Sequence, residues 1–256
     1  MSVPIFHYED LLADPDALHA FADAYVREGG VVVSGVFTAE EIANLQAGAE
    51  HFAAIRADGE PPFAPHLHIY REEPAYARLV QSLRMLQLVE ILAAGPVEML
   101  QAMMYFKPPG YWGFNVHQDN FYLRVDPPEA EITTWVAIDD ADEVNGCLHV
   151  WPRSHELPIL EPRDTVDPGA AYQPNFNERS FEVVPPPGYQ ETSMPIPAGG
   201  VGFIHGNLLH SSNRNVSPER FRRAVAVDYI RKGAAFRQGI RAKRLRMNVY
   251  SPASQG

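Results

Sequence analysis

The chain has a single cysteine, Cys147, and no apolar run of bilayer-spanning length, and it carries fewer basic than acidic residues, 21 against 32. Each scarcity excludes something. One thiol rules out an internal disulfide framework and fits a reducing compartment, so a cytoplasmic location is expected. Without about 20 consecutive apolar residues there is no transmembrane helix. No basic-then-apolar leader is visible either, so no membrane association is expected. A net charge of −11 argues against general nucleic-acid binding, because a phosphate backbone selects the opposite sign. What the chain does have is length and apolar content: 256 residues, 46% hydrophobic, enough for a substantial core and for one enzyme-sized domain over 1–256.

The charge is uneven. Arg231, Lys232, Arg237, Arg241, Lys243, Arg244 and Arg246 open the C-terminal segment 231–256 with no acidic residue among positions 231–246. Two readings are open: a basic lip that attracts an anionic substrate, or a solvated segment paired against acidic surface. Charge runs favour the second.

Helical spacing marks an N-terminal layer over residues 1–95. A helix is expected over 14–27, ended by Gly29-Gly30, then a short apolar strand over 31–34. Thr38-Ala39-Glu40-Glu41 reads as a capping box ahead of Ile42, Leu45, Ala49 and Phe52. A longer helix is expected over 75–94, stopped by Gly95-Pro96. Beyond Pro96 the pattern changes to short strands between Gly and Pro, at 97–107, 114–123, 131–138, 147–150, 201–204 and 223–230. That is the signature of a sandwich or barrel over 96–230. Residues 160–197 are rich in Pro, Asn, Gly and Glu and read as a loop insertion, either a lid or a tolerated surface excursion.

His117-Gln118-Asp119 carries the chemistry. On an extended segment residues two apart face the same way, so the imidazole and carboxylate share a side. A second imidazole from elsewhere would complete two nitrogens and one oxygen on one face of a metal, the set associated with non-heme Fe(II) oxygenases. The bare motif is weak in a chain with ten histidines. His66-Leu67-His68 is also a same-face pair, but lacks an evident carboxylate and reads as structural or substrate-facing. His155 and His205 read as packed or hydrogen-bonded, and Cys147 as a small buried hydrophobe.

Context strengthens the motif. Lys107-Pro108-Pro109-Gly110, His117-Gln118-Asp119-Asn120, Trp135, Asn145-Gly146-Cys147-Leu148, Pro152-Arg153-Ser154-His155, His205, His210-Ser211-Ser212 and Phe221-Arg222-Arg223-Ala224 occur in one order. Over residues 28–230 this ordered set resembles the phytanoyl-CoA dioxygenase family of Fe(II)/2-oxoglutarate oxygenases. The resemblance implies an α+β fold, mostly β: a double-stranded β-helix (jelly-roll) core with N-terminal helices packed on one sheet. It implies His117, Asp119 and His210 as iron ligands, Arg222 on the distal carboxylate of 2-oxoglutarate, and Ser212 supporting it. Trp135 and Gln101 are weaker transfers, placed beside the co-substrate; Met103, Tyr105 and Lys107 alternate to the same face as Gln101. A planar guanidinium suits the carboxylate because it binds bidentately. Alternation puts Arg222 and Ala224 on one face and Arg223 on the other. The interval from His210 to Arg222 is longer than the family's by one residue, so Arg223 or Arg220 remains an alternative.

The implied reaction is hydroxylation of an unactivated C–H bond by O2, with 2-oxoglutarate converted to succinate and CO2. Asp119 speaks for hydroxylation or desaturation, since halogenases of the superfamily carry a small residue there. Two other classes stay open: a jelly-roll protein that binds metal and small molecule without turnover, and a metal enzyme independent of 2-oxoglutarate. Arg222 with Ser212 argues against both. The substrate is expected to be a small metabolite or natural-product intermediate; no nucleotide-binding loop supports a CoA thioester. Tyr105, Tyr111, Trp112, Phe121, Tyr122 and Trp151 either line an apolar pocket or belong to the core.

Overall fold

A computed structural model describes residues 2–55, 65–166, 179–239 and 244–250. In chain order the elements are β1 (Ile5–His7), α1 (Tyr8–Ala13), α2 (Pro15–Glu28), β2 (Gly30–Ser34), α3 (Ala39–Ile55), β3 (His66–Leu67), α4 (Pro74–Val80), α5 (Leu83–Ala93), β4 (Val97–Lys107), β5 (Phe114–His117), α6 (Asp119–Leu123), β6 (Glu131–Ala137), β7 (Leu148–Val150), β8 (Arg163–Val166), β9 (Arg179–Glu182), β10 (Thr192–Met194), β11 (Val201–His205), β12 (His210–Ser212) and β13 (Arg222–Arg231).

Period-two alternation on four strands sorts the core into two layers. Val31, Val33, Val136, Phe203, Val225 and Val227 pack against α2, α3, α4 and α5. Their neighbours Val32, Trp135, Ile204 and Ala224 turn the other way, onto Leu148, Val150 and Met194. The first set belongs to a seven-stranded sheet in the order β1-β2-β11-β6-β13-β4-β3, the second set's partners to a four-stranded sheet in the order β10-β7-β12-β5. The result is the expected α+β architecture, two mainly antiparallel sheets with helices on the outer face of the larger one.

Local expectations fare differently. The capping box forms: Glu41 N–H donates to Thr38 Oγ1 at 3.2 Å and Thr38 N–H to Glu41 Oε2 at 2.8 Å. The helix expected over 75–94 is instead two, α4 and α5, parted at Gln81-Ser82. There the Val80 carbonyl accepts from the Tyr229 hydroxyl at 2.8 Å, so a tertiary partner satisfies it. The strand expected over 114–123 ends at His117, and Asp119 opens α6. Within 160–197, strands β8, β9 and β10 form, while 167–178 lies outside the described residues.

Where it is described, the basic segment 231–246 matches the paired reading at Arg246 and departs from both readings at Arg237 and Arg244. Arg237 donates to the Phe121 and Tyr122 carbonyls at 2.8 and 2.9 Å, and Arg244 is only 8% exposed. Arg246 pairs with Glu98 at 2.5 Å. Cations at the end of a helix meet its unpaired carbonyls, and here they grip the end of α6.

Candidate metal centre

β5 and β12 are neighbours in the smaller sheet, and their register places His117 opposite His210. The two rings lie with centroids 4.1 Å apart. Asp119 Oδ1 is 3.5 Å from His117 Nε2, and Asp119 Oδ2 is 3.7 Å from His210 Nε2. One donor atom from each residue falls within 4.8 Å of the others, a grouping that can hold a metal ion.

Backbone carbonyls orient both rings. His117 Nδ1 donates to Asn115 O at 2.7 Å, and His210 Nδ1 to Leu208 O at 3.0 Å. With Nδ1 donating, the neutral form of each ring has its lone pair on Nε2, the tautomer a metal ligand needs. Burial pushes His210 down to about 4, with the His117 charge adding to the effect, so its ring is neutral near pH 7. Burial works the same way on His117, but the hydrogen bond and charge of Asp119 outweigh it and raise that ring. Burial opposes ionisation of Asp119 too. The His210 ring, the bond and charge of His117 and the Thr133 hydroxyl outweigh it and hold the carboxyl well below the usual carboxylate range. The donor set is thus two imidazoles and a carboxylate, which fits a divalent first-row metal such as iron.

The intervening residues act as bolts. Gln118 is fully buried, donating to Asn207 O at 2.8 Å and accepting from Leu160 N–H at 2.7 Å. Asn120 donates to Asn207 Oδ1 at 3.0 Å, and its N–H reaches Gly206 O at 2.9 Å. His117 and Asp119 face the centre while Gln118 and Asn120 tie the segment to the turn before His210.

Arg222 is 1% exposed, with its guanidinium carbon 5.4 Å from the centre of the Trp135 ring. Its Nε and Nη2 have no hydrogen-bond partner among the described residues. Burial lowers its pKa to about 10. A buried guanidinium with open donors is costly unless an anion meets it, so the residues fit a carboxylate ligand here. The other two arginines are already committed: Arg220 to Asp142 at 2.8 Å, and Arg223 to Asp139 at 2.7 Å. Trp135 and Thr133 are alternate residues of β6, about 7 Å apart along the strand, and Thr133 Oγ1 is 3.0 Å from Asp119 Oδ2. Arg222, against Trp135, and Asp119, against Thr133, are thus set along one face of the larger sheet. Tyr105 senses the charges of both Asp119 and Arg222.

Ser212 Oγ accepts from Phe114 N–H at 3.0 Å, which leaves its own proton to donate. Gln101 is committed elsewhere. Its Oε1 accepts from Arg244 at 2.7 Å and it hydrogen-bonds Asp228, behind Asp119 rather than beside Arg222. Thr133 and Asp228 escaped the sequence reading, and Arg244 entered it only as one of the basic run. Thr133 stands two residues before Trp135 and Asp228 six after Arg222, so strand alternation carried a signal for both; nothing in the run set Arg244 apart from its neighbours. Of the aromatic set, Tyr111 and Trp151 are buried in the fold, while Tyr122 is 36% exposed with its ring 6.3 Å from that of His117. His155 and His205 pack together, 5.2 Å between centroids.

Comparison with known proteins agrees with this geometry. The phytanoyl-CoA dioxygenase (PhyH) family model matches residues 25–224. Phytanoyl-CoA dioxygenase 1 of Oryza sativa subsp. japonica is 36% identical over 123 residues, 46% of this chain and 40% of that protein. Phytanoyl-CoA dioxygenase of Arabidopsis thaliana is 30% identical over 58% of this chain and 50% of its own length. The chain therefore spans half or less of the length of these two relatives. Among solved structures, the epimerase SnoN in complex with Fe3+, alpha ketoglutarate and nogalamycin RO is 25% identical, with a TM-score of 0.70 over 88% of this chain and 87% of that one. The carbocyclase SnoK shares the fold at 21% identity, with a TM-score of 0.70 over 90% of this chain and 94% of that one. With 25–224 matched by its model, the chain belongs to the phytanoyl-CoA dioxygenase family.

Proposed function

We propose that this protein is an Fe(II)- and 2-oxoglutarate-dependent oxygenase that hydroxylates an unactivated C–H bond of a small molecule, releasing succinate and CO2. The observation that carries the reading is the guanidinium of Arg222, whose Nε and Nη2 have no partner among the described residues, buried on the sheet face that also carries the contact to Asp119. A protein that only stored a metal would have no use for a dicarboxylate clamp there.

His117, Asp119 and His210 hold the iron, presenting two neutral imidazole nitrogens and a carboxylate. Iron supplies the activation of O2 and of the substrate C–H bond once 2-oxoglutarate is bound. Arg222 binds the distal carboxylate, Ser212 donates its hydroxyl proton to it, and Trp135 walls the cavity under the guanidinium. Fixing that end orients the co-substrate before reaction. Met103, Tyr105 and Tyr122 are incompletely buried and offer apolar and aromatic surface to a substrate. A small metabolite or natural-product intermediate suits them better than a CoA thioester.

The test is anaerobic titration with Fe(II) and 2-oxoglutarate, followed by aerobic turnover. A visible charge-transfer band that disappears in His210→Ala, with succinate formed in step with oxygen uptake, is expected. Iron binding without the band or succinate would favour a metal-binding protein or a 2-oxoglutarate-independent enzyme. A second outcome of C–H activation has a specific motive: SnoN is described as an epimerase and SnoK as a carbocyclase. Product analysis that finds succinate but no added oxygen atom selects epimerisation, cyclisation or desaturation over hydroxylation.

A further inference from the structure

We infer that Thr133, Asp228, Gln101 and Arg244 form one hydrogen-bonded chain ending on Asp119, which makes Arg244 of the basic C-terminal segment a positioning residue for the metal centre. The inference rests on the Fe(II) reading, since the chain has a catalytic purpose only if Asp119 is a ligand.

The register supplies the row. Thr133 on β6 is opposite Asp228 on β13, which is opposite Gln101 on β4. Three side chains level across adjacent strands stand on one face and touch in sequence. Thr133 Oγ1 lies 3.0 Å from Asp119 Oδ2 and 2.9 Å from Asp228 Oδ1.

A hydroxyl has one proton and cannot donate to two carboxylates at once. One of the two contacts therefore needs a proton from the acid side. That proton belongs on Asp228. Asp119 sits between two imidazole rings, whereas Asp228 is 5% exposed and hydrogen-bonds the neutral groups of Thr133 and Gln101. Burial, then the charge of Asp119, pushes Asp228 up to about 7, in keeping with the geometry.

Every donor then points the same way. Arg244 Nε donates to Gln101 Oε1 at 2.7 Å, the Gln101 amide donates to Asp228, Asp228 to Thr133, and Thr133 to Asp119 Oδ2. Aligned donors polarise one another in a low-dielectric interior, and the charge of Arg244 heads the chain. The hydrogen bond occupies Oδ2 and leaves Oδ1 as the freer oxygen of Asp119. Arg244 also donates to Tyr122 O at 3.3 Å, at the end of the helix that Asp119 opens. The C-terminal segment thus holds the ligand from two directions.

The experiment measures Fe(II) affinity of the full chain anaerobically, with the thermal midpoint of each metal-free variant recorded alongside. Thr133→Val keeps the shape and removes the hydroxyl; it should weaken iron about 10–100-fold, the scale of outer-shell losses. Thr133→Ser should restore binding, and Asp228→Asn, which keeps a donor, should exceed Asp228→Ala. The Fe(II)–2-oxoglutarate band should shift in Thr133→Val and return in Thr133→Ser. Arg244→Met should weaken iron by itself but add little to Thr133→Val, because both break the same chain. Parent-like iron binding in Thr133→Val, or losses that simply multiply in the double variant, overturns the inference alone. A parent protein that binds no Fe(II) overturns the oxygenase reading and the inference with it.

Discussion

The guanidinium of Arg222 lies over the indole of Trp135, its central carbon 5.4 Å from the ring centre, with two of its nitrogens unsatisfied among the described residues. The ring face attracts the cation, yet it accepts none of the in-plane hydrogen bonds. A charge held this way is costly without its anion and valuable with it.

Arg222→Met should therefore separate binding from stability. 2-Oxoglutarate affinity should fall at least 100-fold, about 2.7 kcal/mol, with Fe(II) affinity near that of the parent. Unfolding of the metal-free protein in urea should show stability unchanged or raised by roughly 1 kcal/mol or more, because an unpaired buried charge has been removed. Arg222→Lys should not rescue, since an ammonium cannot make the forked contact. A variant that loses stability and keeps 2-oxoglutarate would show that Arg222 is structural.

Gly113 supports the centre without touching it. A Cβ on this residue would collide with the backbone carbonyl of Ser212, so β5 and β12 could not keep their spacing. That pairing sets His117 opposite His210. Gly113→Ala should cost several kcal/mol in stability and weaken iron binding together, read by thermal melting and iron titration. Gly188→Ala, which meets no atom but sits at a φ of +98°, controls for a glycine replacement that strains the backbone without a clash at the centre.

His205 should make stability depend on pH. Burial, with the His155 charge adding to it, lowers its pKa to about 4, and its Nδ1 accepts from Asn207 N–H at 3.0 Å, which the protonated ring cannot do. Between that value and the ordinary histidine value near 6.5, the unfolded chain binds the extra proton and the folded one does not, so stability rises with pH. The contribution, about 3 kcal/mol at most, is present above the unfolded pKa and lost as pH falls through the folded one. His205→Phe should reduce the slope of the urea-unfolding stability profile between pH 4 and 6.5 and leave the share that buried His210 contributes; an unchanged slope would assign the whole dependence to other groups.

Thr38→Ala should remove about 1 kcal/mol of stability and leave iron affinity untouched. Its hydroxyl caps α3, in the helical layer. A change in iron binding here would mean that any destabilisation perturbs the centre, and would weaken the reading of the Gly113 variant.

Some of this architecture is written in local pattern. The strand β4 has the bounds that alternation predicts, and the capping box of Thr38 and Glu41 needs only residues three apart. His117 and Asp119 are two apart in a motif recognisable by order alone. Other features depend on distant partners. The break between α4 and α5 follows the Tyr229 hydroxyl on Val80 O, 149 residues away in sequence. Arg220, Arg222 and Arg223 look alike in a row; only packing shows that two meet carboxylates and one does not.

Thus the ligand types, the alternation that aims them and the character of the two layers follow from the amino-acid order, because periodicity and side-chain chemistry act over a few residues. The meeting of His117 with His210, the open donors of Arg222 and the reach of Arg244 toward Asp119 were decided by tertiary structure. Strand register and burial bring those groups together across long stretches of chain, and no short-range pattern encodes which buried charge is left without a partner.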